Sequence, residues 1–271
     1  MMSNRLIIES GSTSTEWALV SDTPSRFHNG GINPLVHSFE HVRRTLADGA
    51  KRFGNVEVVE FYGAGCAGRG QRIVVDILGD LFPGAAVSAE SDMVAAAKAV
   101  LGMRPGVACI LGTGSNSCLW DGEKIVDNIP PMGYILGDEG SGACLGRSLI
   151  NAVFKRRLPE DLSKDFLMSY GLDKEVVIRR VYREERANTF LASFCPWLSE
   201  NIDREEVREL VRDEFAKFAR YNIKPYGDNL TAGFAGSVAA HFSELLRDVC
   251  REEGIGVSDI VAEPIELLLL R

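Results

Sequence analysis

No run of apolar residues in the chain approaches the ~20 that a membrane span requires. The first residues lack the layout of a secretory leader, because Arg5 and Glu9 bracket only three apolar residues. The six cysteines (Cys66, Cys109, Cys118, Cys144, Cys195 and Cys250) include no C-x-x-C pair and fit no zinc spacing. Most stand among apolar or small residues, as buried thiols do, which points to a reducing, cytoplasmic setting. The four histidines, His28, His37, His41 and His241, form no metal spacing either. Positive charge is in the minority. Lys and Arg number 30 against 38 Asp and Glu, a net charge of −8, which speaks against nucleic acid and anionic membranes as partners. It does not exclude a phosphorylated ligand, because backbone N–H groups and a metal ion hold phosphates on acidic proteins. No low-complexity linker divides the 271 residues, and 45% of them are hydrophobic, enough to bury a core as two modest domains or one large one.

What is present is a pair of polar turns. Cys109-Ile110-Leu111 leads into Gly112-Thr113-Gly114-Ser115-Asn116-Ser117, and Cys118-Leu119-Trp120 follows. This reads as strand, tight turn, strand. Glycines remove the Cβ atoms that would block close approach to the backbone, and hydroxyls and N–H groups then face whatever sits in the turn, a surface that suits phosphate. A shift of 103 residues lays Ile8-Glu9-Ser10-Gly11-Ser12-Thr13-Ser14 over Leu111 to Ser117, with Trp17 over Trp120. Two such turns, each opening one half of the chain, predict a duplicated fold with nucleotide phosphates held between the halves.

The rest of the chain agrees with an α/β architecture. Three strands are expected over residues 5–31, a helix from Ser38 to Phe53, a strand from Glu57 to Tyr62, a helix from Arg72 to Leu81, a strand from Ala85 to Ala89 and an alanine-rich helix from Ser91 to Leu101. The boundary falls at Gly102 to Gly106, giving lobes of residues 1–105 and 106–271, with the last helix free to pack back on the first. The second half opens with strands near 107–111, 116–120 and 123–128. A glycine-rich segment, Gly133 to Gly142, leads into a helix over Ala143–Phe154. Residues 160–222 read as almost wholly helical, their charge belonging to solvated faces. A strand at Leu230–Phe234, a helix from Ser237 to Cys250, a strand near Ile260–Ala262 and an apolar terminal segment complete the pattern.

Four motifs in this order give a resemblance that covers nearly the whole chain: Glu9 to Thr15, Leu111 to Ser117, Gly137-Asp138-Glu139-Gly140-Ser141 and Ala232-Gly233-Phe234-Ala235-Gly236-Ser237. The chain resembles the sugar kinase / Hsp70 / actin superfamily, in the branch that joins N-acetylglucosamine kinases to BadF/BadG/BcrA/BcrD-type ATPases. The resemblance implies two lobes of actin-like ATPase (ribonuclease H-like) type, mixed five-stranded sheets flanked by helices, with a nucleotide cleft between them. It implies ATP and Mg²⁺, a small sugar substrate and, since dimers are common in this fold, room for a homodimer.

By itself Asp92 reads first as a helix N-cap; the same resemblance reverses this and makes it the catalytic base, which also meets the sugar. The helix dipole at that position is expected to keep it ionised and to weaken its basicity. Gly11, Ser12, Thr13, Thr15, Gly112, Thr113, Gly114 and Ser115 are expected on the phosphates, and Gly233, Gly236 and Ser237 on the adenosine. Asn33, Thr113, Asn116, Asp138 and Glu139 are expected on the sugar side, with Asp138 accepting from sugar hydroxyls. Glu9 stands where many family members carry Asp and is expected to hold Mg²⁺, directly or through water. Ser14 stands where Lys or Arg is common. Three activities stay open: a kinase for an amino sugar, N-acetylglucosamine first; an ATPase that activates a partner enzyme; and a non-catalytic sugar or nucleotide sensor.

Overall fold

A computed structural model of the protein describes residues 4–11, 14–54 and 56–269. Ser12 and Thr13 of the first turn lie outside the described residues. The chain forms two compact units. The first comprises Met1–Gly102 with Glu263–Arg271, and the second Met103–Ala262.

The first unit is built on strands β1 (Arg5–Ser10), β2 (Ser14–Val20), β3 (Ser25–Gly30), β4 (Val58–Gly63) and β5 (Ala86–Ser91), in the order β3-β2-β1-β4-β5. The first three pair antiparallel; β1–β4 and β4–β5 are parallel. Helices α1 (Phe39–Ala50), α2 (Arg69–Leu81) and α3 (Asp92–Val100) supply the connections, and a C-terminal helix, Pro264–Leu268, returns to this unit. The continuous apolar run Leu6-Ile7-Ile8 is what a strand covered on both faces requires. Successive side chains leave a strand on opposite sides. Leu6 and Ile8 accordingly join Trp17, Val42, Leu46 and Phe61 in one cluster, while Ile7 joins Ala18, Tyr62, Ala95, Ile265 and Leu268 in another. Gly49 of α1 admits the Trp17 ring, since a Cβ there would stand 2.1 Å from it.

The second unit repeats the plan with β6 (Gly106–Leu111), β7 (Ser115–Trp120), β8 (Ile125–Asp127), β9 (Thr231–Ala235) and β10 (Gly256–Val261), ordered β10-β9-β6-β7-β8. Between β8 and β9 lie α4 (Gly133–Leu136), α5 (Gly142–Phe154), α6 (Glu160–Ser169), α7 (Lys174–Tyr182), α8 (Ala187–Ala192), α9 (Cys195–Glu200) and α10 (Glu205–Phe218). Then come a π-helical turn, Ala219–Ile223, and a 3₁₀ turn, Lys224–Tyr226. Helices α11 (Ser237–His241) and α12 (Ser243–Glu252) precede β10. The single helix expected over 237–250 is thus broken. Phe242 leaves helical geometry at ψ 26° and buries its ring against Phe215, centroids 6.1 Å apart.

The hairpins correspond, but not at the offset read from the sequence. Ser10 pairs with Thr15 and Leu111 with Ser115, so the strands before the turn superpose at 101 residues and those after it at 100. Trp17 lies opposite Ile8 near the turn, whereas Trp120 lies opposite Gly106 at the far end. Matching glycines and serines slid the alignment by two to three residues, because identity of turn residues carries no information on pairing register.

Candidate active site

In the first unit the strand register gathers the predicted residues at one edge. Ser10 pairs with Gly63, and Gly63 with Ser91, so Gly11 and Asp92 emerge at the same edge, at the carboxyl ends of parallel strands with β4 between them, the edge where α/β sheets bind ligands. Gly11 is exposed, and its N–H donates to Ser14 O at 3.0 Å. Ser10 Oγ accepts from Ile32 N–H (2.9 Å), which brings Asn33 to the same edge. Asn33 is half-buried and spends its Oδ1 on the N–H of Leu35 (3.0 Å), the local turn that an Asn-Pro pair favours.

Thr15 departs from expectation. It is fully buried, its hydroxyl donates to Gly30 O at 2.8 Å, and it lies 2.7 Å from Ser10 Oγ. Its side chain pins the hairpin from within and is not presented to a phosphate.

Asp92 opens α3. Its Oδ1 accepts from the Met93 N–H at 3.0 Å. Burial pushes its carboxyl above the usual range, and the backbone N–H bonds only partly oppose this. The helix-dipole expectation of weakened basicity is therefore corrected: loss of solvent outweighs the helix end and makes the carboxylate the stronger base. Glu9 accepts from Ile265 N–H at 2.9 Å. Burial, and then the charges of Glu16, Asp92 and Glu263 against the relief from that N–H, push it up to about 8. Glu9, buried and facing other acidic groups, is a carboxyl whose charge a bound divalent cation would offset. Among the described residues the acidic cluster close enough to share an ion is Glu16 with Glu263 and Glu266, and Arg26 already pairs with Glu16 and Glu266.

In the second unit the turn after β6 is fused to the start of α5. Gly112 O accepts from Gly142 N–H (2.8 Å) and Thr113 O from Ala143 N–H (3.1 Å), while Ser141 Oγ caps α5 on Cys144 N–H (3.2 Å). Asp138 is the junction. The backbone N–H groups of Ser115 and Gly133 face its carboxyl and favour its charge, and it lies so near Gly114 that a Cβ there would stand 3.0 Å from Oδ2. Burial first, then the charge of Glu139, pushes it up to about 6 against those N–H groups and Arg147. Gly114, Ser115 and Asp138 are thus brought together. Asn116 is not: strand alternation turns it to the opposite face from Ser115, where its Oδ1 accepts from Ser117 N–H and Asn128 Nδ2. Glu139 is held by Asn222, Nδ2 to Oε2 3.1 Å.

The adenosine motif joins the same edge. Gly233 is buried within β9. Gly236 stands at φ 113°, and a Cβ there would lie 2.4 Å from Leu111 O, so only glycine fits. A cavity of about 240 Å³ opens between Thr113, Ser193, Cys195, Pro196, Ser237 and His241. His241 Nδ1 donates to Ser237 O at 2.7 Å, leaving Nε2 as the acceptor. The Ser193–Pro196 wall was missed from the sequence, because it is a helix junction with no glycine or charge pattern to mark it. The six cysteines are free, five of them buried and Cys195 partly so. Among the described residues no helix is long and apolar enough to cross a membrane.

No family model matches the chain, and no curated protein matches it. Among solved structures it is similar to the "Putative N-acetylglucosamine Kinase" of Porphyromonas gingivalis, at 38% identity over 98% of this chain and 97% of that one, TM-score 0.91. It is also similar to the protein of the same description from Chromobacterium violaceum, at 20% identity over 99% of both chains and TM-score 0.71. The ROK hexokinase of Thermus thermophilus shares the fold alone, at 16% identity over 96% of this chain and 92% of that one, TM-score 0.50. With its duplicated five-stranded units, its two turns and a 38% identical relative of matching length, the chain belongs to the N-acetylglucosamine kinase / BadF/BadG/BcrA/BcrD-type ATPase family of the sugar kinase, Hsp70 and actin superfamily.

Proposed function

We propose that this protein is an ATP-dependent kinase acting on an amino sugar, N-acetylglucosamine first among them. The observation that carries the reading is Asp92, a carboxyl raised by burial at the carboxyl edge of the parallel strands, the same edge from which the first turn leaves β1. The P. gingivalis relative and its name support the substrate class.

In this reading the sugar hydroxyl gives its proton to Asp92 as its oxygen attacks the γ-phosphorus, and the bond to the β-phosphate oxygen breaks. The turns at Gly11 and at Gly112, Thr113, Gly114 and Ser115 each offer N–H groups or hydroxyls to phosphate oxygens. The cavity beside Ser237 and Gly236 takes the base. Asp138 accepts from sugar hydroxyls with the lone pairs left by Ser115 and Gly133. Glu9 would hold Mg²⁺, which when bound neutralises phosphate charge. Thr15 has no ligand role.

ADP release with Mg·ATP and a panel of sugars tests this. Turnover is expected with N-acetylglucosamine, falling by at least ~10² in Asp92→Asn. Sugar-independent hydrolysis, or turnover that Asp92→Asn leaves unchanged, would overturn the assignment.

A further inference from the structure

The π-helical turn Ala219–Ile223 and the 3₁₀ turn Lys224–Tyr226 follow α10 directly. π turns are rare and are frequently found at functional sites. Here the irregular segment holds both ends of the stretch that carries α4 and the Gly137–Ser141 motif. At one end Tyr226 Oη donates to Ser117 O (3.0 Å) and accepts from Ile129 N–H (2.8 Å). At the other, Asn222 Nδ2 donates to Glu139 Oε2 (3.1 Å). The second contact is closely backed, since a Cβ on Gly140 would lie 2.9 Å from Phe218 Cβ. Asn222 is only 4% exposed, and an amide buried without a partner is costly. A carboxylate has only acceptors to offer, so the amide must present its N–H to it.

What this bond braces is unusual. Asp138, the residue before Glu139, sits at φ 54°. A non-glycine residue keeps that left-handed conformation only where its surroundings hold it. Its own N–H donates to Pro131 O (2.9 Å), and its carbonyl accepts from Ser141 N–H (3.1 Å). Those two bonds fix the loop around Asp138, while the Asn222 bond ties it to a helix outside the loop.

We propose that Asn222 is a positioning residue for the sugar: by holding Glu139 it fixes the orientation in which Asp138 meets the substrate, without itself touching the sugar. The inference rests on the sugar-kinase reading. It separates sugar affinity from nucleotide affinity, because Asn222 braces the Asp138 loop and has no part in the cavity beside Ser237.

The test is a double-mutant cycle read by steady-state kinetics. Asn222→Asp keeps the shape and turns the donor into a second carboxylate facing Glu139. The KM for N-acetylglucosamine should rise at least about 10-fold, the cost of losing a hydrogen bond to a charged group, while the KM for ATP stays within about twofold. In a Glu139→Gln background the donor and acceptor are exchanged, and Asn222→Asp should then cost less than about threefold. Equal cost in both backgrounds, or a parallel rise in the KM for ATP, would overturn the inference. If Asn222→Asp alone does not fold, the double variant decides. A folded protein with a sugar KM within about threefold of Glu139→Gln supports the bond, and an unfolded protein or a larger rise overturns it. Wild-type protein with no sugar-dependent ADP release would sink the sugar-kinase reading and this inference together, whereas wild-type turnover with an additive cycle would sink the inference alone.

Discussion

Asp138 carries a conflict between binding and stability. Its carboxyl goes from an ordinary value of 3.8 to about 6 on folding, chiefly through burial. A raised acid binds its proton more tightly in the folded state. The stability it contributes is therefore full below pH 3.8 and lost as the pH climbs through about 6. At pH 7 the ionised group burdens the fold by about 1–2 kcal/mol once solvent screening is allowed for. Asp138→Asn keeps an oxygen for the N–H groups of Ser115 and Gly133 without the charge. It should melt higher than wild type at pH 7, gain nothing below pH 3.8, and lose sugar turnover at pH 7. A lower melting temperature at pH 7 would show that the carboxylate is a stabilising partner of those N–H groups. At this scale the sequence told residue type but not environment. Asp92 at a helix start reads as a weak base because the dipole is local and visible, while the burial that reverses it comes from the folded unit. The partner of Glu9, the N–H of Ile265, lies 256 residues along the chain, and no local pattern announces it. Thr15 and its neighbours share one polar turn, and composition does not say which hydroxyl faces inward.

At the scale of elements, strands and helices were legible where periodicity was strong. Leu6-Ile7-Ile8 and Val107 to Leu111 are continuous apolar runs because both strands are covered on two faces. The break at Phe242 was hidden because the apolar spacing continues through it, and α4 was hidden inside a glycine-rich segment that reads as turn. Where an element meets another backbone, glycine is diagnostic. Gly236 combines φ 113° with an approach to Leu111 O that a Cβ would close to 2.4 Å. Gly236→Ala should cost at least about 2 kcal/mol from backbone strain alone. Because the displaced carbonyl belongs to the strand that enters the second turn, ATP affinity should fall as well. Calorimetric melting together with ATP titration checks both. Loss of stability with unchanged ATP affinity would separate this contact from the phosphate turn.

At the scale of the molecule, the chain's order and its units do not coincide. The duplicated sheets predict two halves with the last helix free to return to the first, and Glu263–Arg271 belongs to the first unit. Ile265 and Leu268, at 0% and 3% exposure, close the face of β1 that presents Ile7, against Ala18, Tyr62 and Ala95. The same helix donates its Ile265 N–H to Glu9, so the end of the chain covers the first sheet and also braces the proposed metal-binding carboxylate. Truncating a buried Ile or Leu to Ala costs about 2–5 kcal/mol. Ile265→Ala with Leu268→Ala should therefore weaken the first unit locally and leave the second intact, since units with separate cores open separately. Hydrogen exchange should show faster opening of β1 and β2 with β6 and β7 unchanged. Equal acceleration in both sheets would mean that the two units unfold as one cooperative body, with the C-terminal helix stabilising the whole.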